Sequence, residues 1–224
     1  MVKKISLAAL VMAVLFILAS CTSLDVVGKE SVNSFDRLMA ATTNLVSKDD
    51  MNGGWSLTAP EGSARFIWSW DFSKSPLHDV MLEVDATPFV NAGLDVSKLP
   101  AGMAYDSMLM VGTKIGTQAL TYSGEATPLE SFKKIVETKR AAIKYHTALD
   151  HYGVDLGSGN AFEFAKDMST NDKDIVFVLD PKVLTDAGVD PAKVEGWVFA
   201  KVKVDDANGK PIEVDKFLKP FSLQ

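Results

Sequence analysis

Asp79-Val-Met-Leu-Glu-Val-Asp-Ala-Thr-Pro-Phe-Val-Asn-Ala-Gly-Leu-Asp-Val-Ser-Lys-Leu99 lies without a gap on Asp174-Ile-Val-Phe-Val-Leu-Asp-Pro-Lys-Val-Leu-Thr-Asp-Ala-Gly-Val-Asp-Pro-Ala-Lys-Val194. The offset is 95 residues, six of the 21 positions are identical, and apolar residues meet apolar residues at most of the others. Shared periodicity alone does not return the same Asp, Ala, Gly and Lys at the same places, so the stretches read as two copies. The match extends backwards. Phe66-Ile-Trp-Ser-Trp-Asp-Phe-Ser73 lies on Phe162-Glu-Phe-Ala-Lys-Asp-Met-Ser169 at an offset of 96, and Ser34-Phe35 on Ser131-Phe132 at 97. A slowly drifting offset is what loop-length changes leave in a duplicated chain. Two copies result, 29–122 and 123–224. Two units are too few to stack as a solenoid, so pseudo-symmetric halves sharing one sheet or core are expected.

Each copy opens on a helix pattern. Phe35, Leu38, Met39, Thr42, Leu45 and Val46 recur at helical spacing before Asn52-Gly53. Phe132, Ile135, Val136, Ala142, Ile143, His146 and Leu149 do the same before Gly153. Thr127-Pro-Leu-Glu130, ahead of the second run, is a capping box with proline at the first helical position. Strands are predicted at 55–58, 64–72 and 80–84, and at 154–156, 161–165 and 175–179. A short helix follows in each copy, 87–92 and 181–187. A closing hairpin comes next, 108–115 with 119–122 in the first copy and 197–204 with 212–214 in the second. The fold class is therefore α+β: an antiparallel sheet with helices on one side, built from two tandem pseudo-symmetric copies.

The 224 residues carry a formal charge of −6, are 47% hydrophobic and include one cysteine, Cys21. Lysines dispersed among an excess of carboxylates do not make the basic face that nucleic acid demands, so no nucleic-acid partner is expected. A single cysteine excludes intrachain disulfides and thiolate metal sites. The sequence holds no phosphate loop, dinucleotide fingerprint, Gly-x-Ser-x-Gly elbow or His-Glu-x-x-His. No cofactor, catalytic set or metal set is expected. A hydrolase would have to gather groups scattered along the chain and is the least favoured reading.

Lys3 and Lys4 precede 15 largely apolar residues, 5–19, and small residues lead to Cys21, which is the layout of a secretory signal. Fifteen helical residues reach about 22 Å against a hydrocarbon core of about 30 Å, so a permanent span is not expected. Leu18-Ala19-Ser20-Cys21 resembles the lipobox of bacterial lipoproteins. The resemblance covers the first tenth of the chain. It implies that residues 1–20 are a signal peptide, that the Cys21 thiol carries a diacylglyceryl group with acyl chains such as palmitate, and that residues 21–28 tether the body to a membrane. Removing residues 1–20, with their two lysines, leaves 204 residues and a charge of −8. Proteobacterial lipoproteins kept in the inner membrane carry an aspartate after the cysteine; Thr22 stands there instead, which implies the outer membrane in a source with two.

The acids repeated in both copies have a structural explanation. Asp85 and Asp180 precede the short helices, Gly93 and Gly188 follow them, and Asp95 and Asp190 open the next turn, so capping accounts for all six. His78 falls in a turn. His146 and His151, read as helical and five apart, point to different faces and do not share a metal. His146 lies on the apolar stripe, where a half-buried imidazole can take or give a proton. The strand at 64–72 places Phe66, Trp68, Trp70 and Phe72 on one face. Beneath helices that face is core. With the helices standing off, it walls an apolar pocket, and the four rings with His146 form the candidate ligand site. Met103, Met108 and Met110 would add adaptable surface. Two functions are carried forward: a non-catalytic structural or protein-interaction role in the cell envelope, and a carrier or sensor of a hydrophobic small molecule or lipid.

Overall fold

A computed structural model describes residues 24–70, 78–113, 125–147, 149–168, 173–205 and 210–223. In the first half, helix α1 (Val26–Ala41) leads into β1 (Val46–Asp49), β2 (Gly54–Thr58), β3 (Ala64–Ser69) and β4 (Val80–Asp85). The short helix α2 (Thr87–Asn91), a 3-10 turn (Val96–Lys98), β5 (Ala104–Tyr105) and β6 (Met108–Thr113) complete it. The second half runs α3 (Pro128–Thr138), a 3-10 turn (Arg140–Ala142), β7 (Ile143–His146), β8 (His151–Gly157), β9 (Asn160–Ala165) and β10 (Ile175–Leu179). It ends with α4 (Pro181–Asp186), a 3-10 turn (Pro191–Lys193), β11 (Val198–Asp205) and β12 (Pro211–Phe221). Two six-stranded antiparallel sheets form, in the orders β1-β2-β3-β4-β6-β5 and β7-β8-β9-β10-β12-β11. Strand for strand the orders are the same, so the fold is α+β in two tandem halves.

Local chemistry sets the element ends. The Thr127–Glu130 capping box is complete, and Asp25 caps α1 by accepting from Gly28 N at 2.8 Å. Asp85 accepts from Thr87 N and Asp180 from Lys182 N, each at 2.9 Å; Asp95 and Asp190 accept from Ser97 N and Ala192 N, each at 3.1 Å. The repeated acids thus satisfy the free N–H groups of helix starts.

Residues equivalent by sequence meet each other where the halves join. Phe35 stacks on Phe132 with centroids 3.8 Å apart, and Phe66 on Phe162 at 4.1 Å. Asp95 N donates to Ala187 O and Asp190 N to Ala92 O, both at 2.8 Å, so the contact is reciprocal. Between them Gly93 and Gly188, at φ +104° and +106°, approach so closely that a Cβ on either would lie 2.8 Å from the other's carbonyl oxygen. Such reciprocity is the mark of a two-fold relation, here inside one chain.

The helices are exchanged between halves. α1 packs against β7 and β9 of the second sheet, and α3 against β3 of the first. Trp68 Nε1 donates to Pro128 O at 3.0 Å and Trp55 Nε1 to Ala126 O at 2.9 Å; in the other direction Tyr152 donates to Glu30 at 2.8 Å. Buried apolar residues of both halves form one contiguous core.

Three expectations are corrected. Both opening helices were read too far, since α1 stops at Ala41 and α3 at Thr138, and Leu45–Val46 and Ile143–His146 belong to turn and strand. The two edge strands are four residues long, too short to break a helical spacing of apolar residues. Residues 26–28, expected in the tether, are helical. In the first half β6 pairs with β5, which precedes it, while 119–122 lies outside the described residues. The register shows what differs: Val80 pairs with Thr113, 33 residues on, but Ile175 with Phe221, 46 on, so the second half carries 13 extra residues, spent on a long β11–β12 hairpin.

Candidate ligand-binding site

The four-ring face does not form one site with His146. Phe66 and Trp68 have no exposed surface and lie ring to ring within the core. Trp70 is half-buried, edge-on to Trp55, with Lys48 Nζ 5.5 Å from its ring centre. Phe72 lies outside the described residues, as do Leu18, Ala19, Ser20 and Cys21. His146 is on β7, not on a helix, and faces away from the core.

His146 and His151 are directly opposite each other across the β7–β8 hairpin, so the helical argument that separated them is overturned. Alternation along β8 turns Tyr152, Val154 and Leu156 to the core and His151, Gly153 and Asp155 outward. On β9, Phe162 and Phe164 go in and Glu163 goes out. The three outward groups converge: His146 Nδ1 is 2.9 Å from Glu163 Oε1, and His151 Nδ1 is 3.9 Å from Oε2. The first is a hydrogen bond; the second is too long for one and acts by charge. Burial alone would push the Glu163 carboxyl up, but the His146 hydrogen bond and the neighbouring His151 imidazole outweigh it and hold the carboxyl at about 2. Among the described residues no group of three or more His, Cys, Asp or Glu side chains is placed to hold a metal ion.

This array forms one end of an open trough of about 770 Å³ on the outer face of the second sheet. The other end is apolar. Val176 and Val178 project from β10 on the side away from the helices, yet are only 8% and 6% exposed. Val202 and Val204 of β11, with Val214 and Leu218 of β12, line the same space. The long hairpin supplies this wall, where β5–β6 is too short to build one. Lys216 at the rim is consumed by Asp180 Oδ2 at 2.7 Å and Gly159 O at 2.8 Å.

The first sheet has no such trough-forming chemistry at the matching positions. Asp49 stands for His146 and Ile67 for Glu163 by the repeat offsets. Arg65 forks onto Glu83 at 3.0 and 2.8 Å, with Asp49 at 3.6 Å, and closes that face with ion pairs. A second cavity of about 510 Å³ lies between the halves and includes Met103 and Met110, which the sequence had grouped, with Leu156 and Val183.

Sequence reasoning found His146 but missed Glu163, His151 and the valines. A signal was present: 175–179 is apolar at every position, the mark of a strand covered on both faces, while its counterpart 80–84 is interrupted by Glu83. Among the described residues no helix is long and apolar enough to cross a membrane. Comparison with protein families, with curated proteins and with solved structures returned no match to this chain.

Proposed function

We propose that this chain is a bacterial cell-envelope protein, tethered by lipid on Cys21, that binds a small molecule with a substantial apolar part and does no chemistry on it. The trough carries this reading. Its volume of about 770 Å³ falls among small-ligand sites, which run from about 300 to 1,000 Å³ and combine apolar walls with a few convergent polar groups. Binding is favoured over catalysis because Glu163, ionised down to about pH 2, is far from the value at which a carboxyl works as acid or base at neutral pH. The envelope and the anchor rest on residues 1–21, with Leu18-Ala19-Ser20 ahead of Cys21, and the outer membrane on Thr22.

Native mass spectrometry of residues 22–224, which hold every core residue among those described, after export to a bacterial periplasm tests the binding. An added mass released on denaturation is the expected result. A bare polypeptide mass would sink the carrier reading and favour a protein-interaction role, for which Val198, Phe199 and Ile212, 51%, 41% and 40% exposed on the β11–β12 hairpin, offer the surface. The anchor is tested separately: radiolabelled palmitate should enter the full chain and not its Cys21→Ser variant.

A further inference from the structure

Building on the trough reading, we propose that its ligand is a single-chain amphiphile with an anionic head, of the fatty-acid type. The alkyl chain lies along the valine wall of β10, β12 and β11, and the carboxylate lies at the end marked by Lys144 and Lys173. The charges that border the trough divide into those already satisfied and those left over.

Lys216 is neutralised by Asp180, and Glu163 is clamped between two imidazoles. Lys203 lines the trough beside Val202 and Val204 on β11, at the opposite edge of the sheet from β7. Nearer the imidazoles three charges remain. Lys144 lies across from Gly153 on β7, two residues from His146 on the same face. Lys173 stands just before β10, at the end of the sheet where Ile175 pairs with Phe164 and His151 with Ala165. Neither lysine has an ion-pair partner among the described residues, and both are exposed. Asp155, the one remaining acid, stands two residues beyond Gly153, the residue opposite Lys144, and its Oδ1 already accepts from Gly157 N at 2.8 Å.

A chain with a net charge of −6 thus presents two cations without an ion-pair partner among the described residues at the polar end of this trough. An ammonium head would meet like charge there, and a neutral head would leave both lysines unused. A carboxylate is attracted by both. Gly153 keeps the floor low beneath such a head: a Cβ there would lie 3.4 Å from the His146 ring.

Calorimetric titration of residues 22–224 with laurate, 1-dodecanol and dodecylammonium, the ionic probes below their micellar concentrations and the alcohol below its solubility limit, tests the proposal. Laurate should bind about tenfold tighter than either of the others, and added salt should weaken laurate alone. A Lys144→Glu, Lys173→Glu double variant should lose about tenfold in laurate affinity while dodecanol is unchanged, with far-ultraviolet circular dichroism confirming the fold. Equal binding of all three probes, a preference for dodecylammonium, or laurate binding untouched in the double variant overturns the head-group inference and leaves the trough as an apolar site. Absence of binding by every probe overturns both.

Discussion

At the scale of single residues, Gly93 and Gly188 form a close contact between equivalent positions of the two halves. Gly93 combines a left-handed backbone with a facing carbonyl, so an alanine there pays for both φ and overlap. Gly62 has φ +78° but nothing within 4 Å of an added Cβ. Gly62→Ala should therefore cost about 1–2 kcal/mol, and Gly93→Ala distinctly more, by urea denaturation. Equal losses would show that the glycine pair is not tightly packed. Glu163 makes a second case. Its folded-state value, about 2, is below the ordinary 4.5, so its contribution is present in full above pH 4.5 and drains away as pH falls from 4.5 to 2. The shift corresponds to about 3 kcal/mol for a carboxyl this buried. The stability gap between the native chain and Glu163→Gln should be widest above pH 4.5 and narrow steadily below it; a gap that ignores pH would contradict the imidazole clamp.

At the scale of elements, the repeat preserved interactions while exchanging the residues that make them. Lys48 lies over Trp70 in the first half; at the matching places Tyr145 and Lys166 form the same contact with ring and cation interchanged, both at 5.5 Å. The cap of α3 is exposed and does nothing else, so Thr127→Ala should cost about 1 kcal/mol in urea unfolding and leave ligand uptake unchanged. Most strands and both short helices were legible because their alternation, glycines and capping acids are local signals. β1 and β7 were not, since in four residues Ile143 and His146 can still be counted on a helical stripe. The exchange of α1 and α3 could not be read either. It depends on which sheet a helix meets, and Phe35 and Phe132 are equally apolar toward both. His146 was singled out for its place on a stripe that does not exist, and its actual partners, His151 and Glu163, come from neighbouring strands that only the sheet brings together.

At the scale of the whole molecule, exchange of the helices makes each half a lodging for part of the other. Residues 22–113 and 125–224, produced separately, should each lack cooperative unfolding and recover it as a one-to-one complex when mixed. Two independently folding halves would show the single core to be dispensable. The asymmetry of the outer faces follows from the same plan. The inner faces, bound to each other through Phe66 and Phe162, are held alike, whereas the outer faces are free to differ, and only the second has the 13 added residues that wall the trough.

The exchanged N-terminal helix has a consequence in time. α1 is made first, yet the strands it rests on, β7 and β9, end at His146 and Ala165, more than 100 residues later. Such long-range contacts must pay loop-closure entropy before they return any stability, and chains dominated by them fold slowly. Until the second half has emerged, Phe35 and Leu38 have no finished surface to cover them. Refolding from urea should accordingly be a single slow phase in which burial of Trp68, whose indole reaches across to Pro128, coincides with recovery of helix signal rather than preceding it.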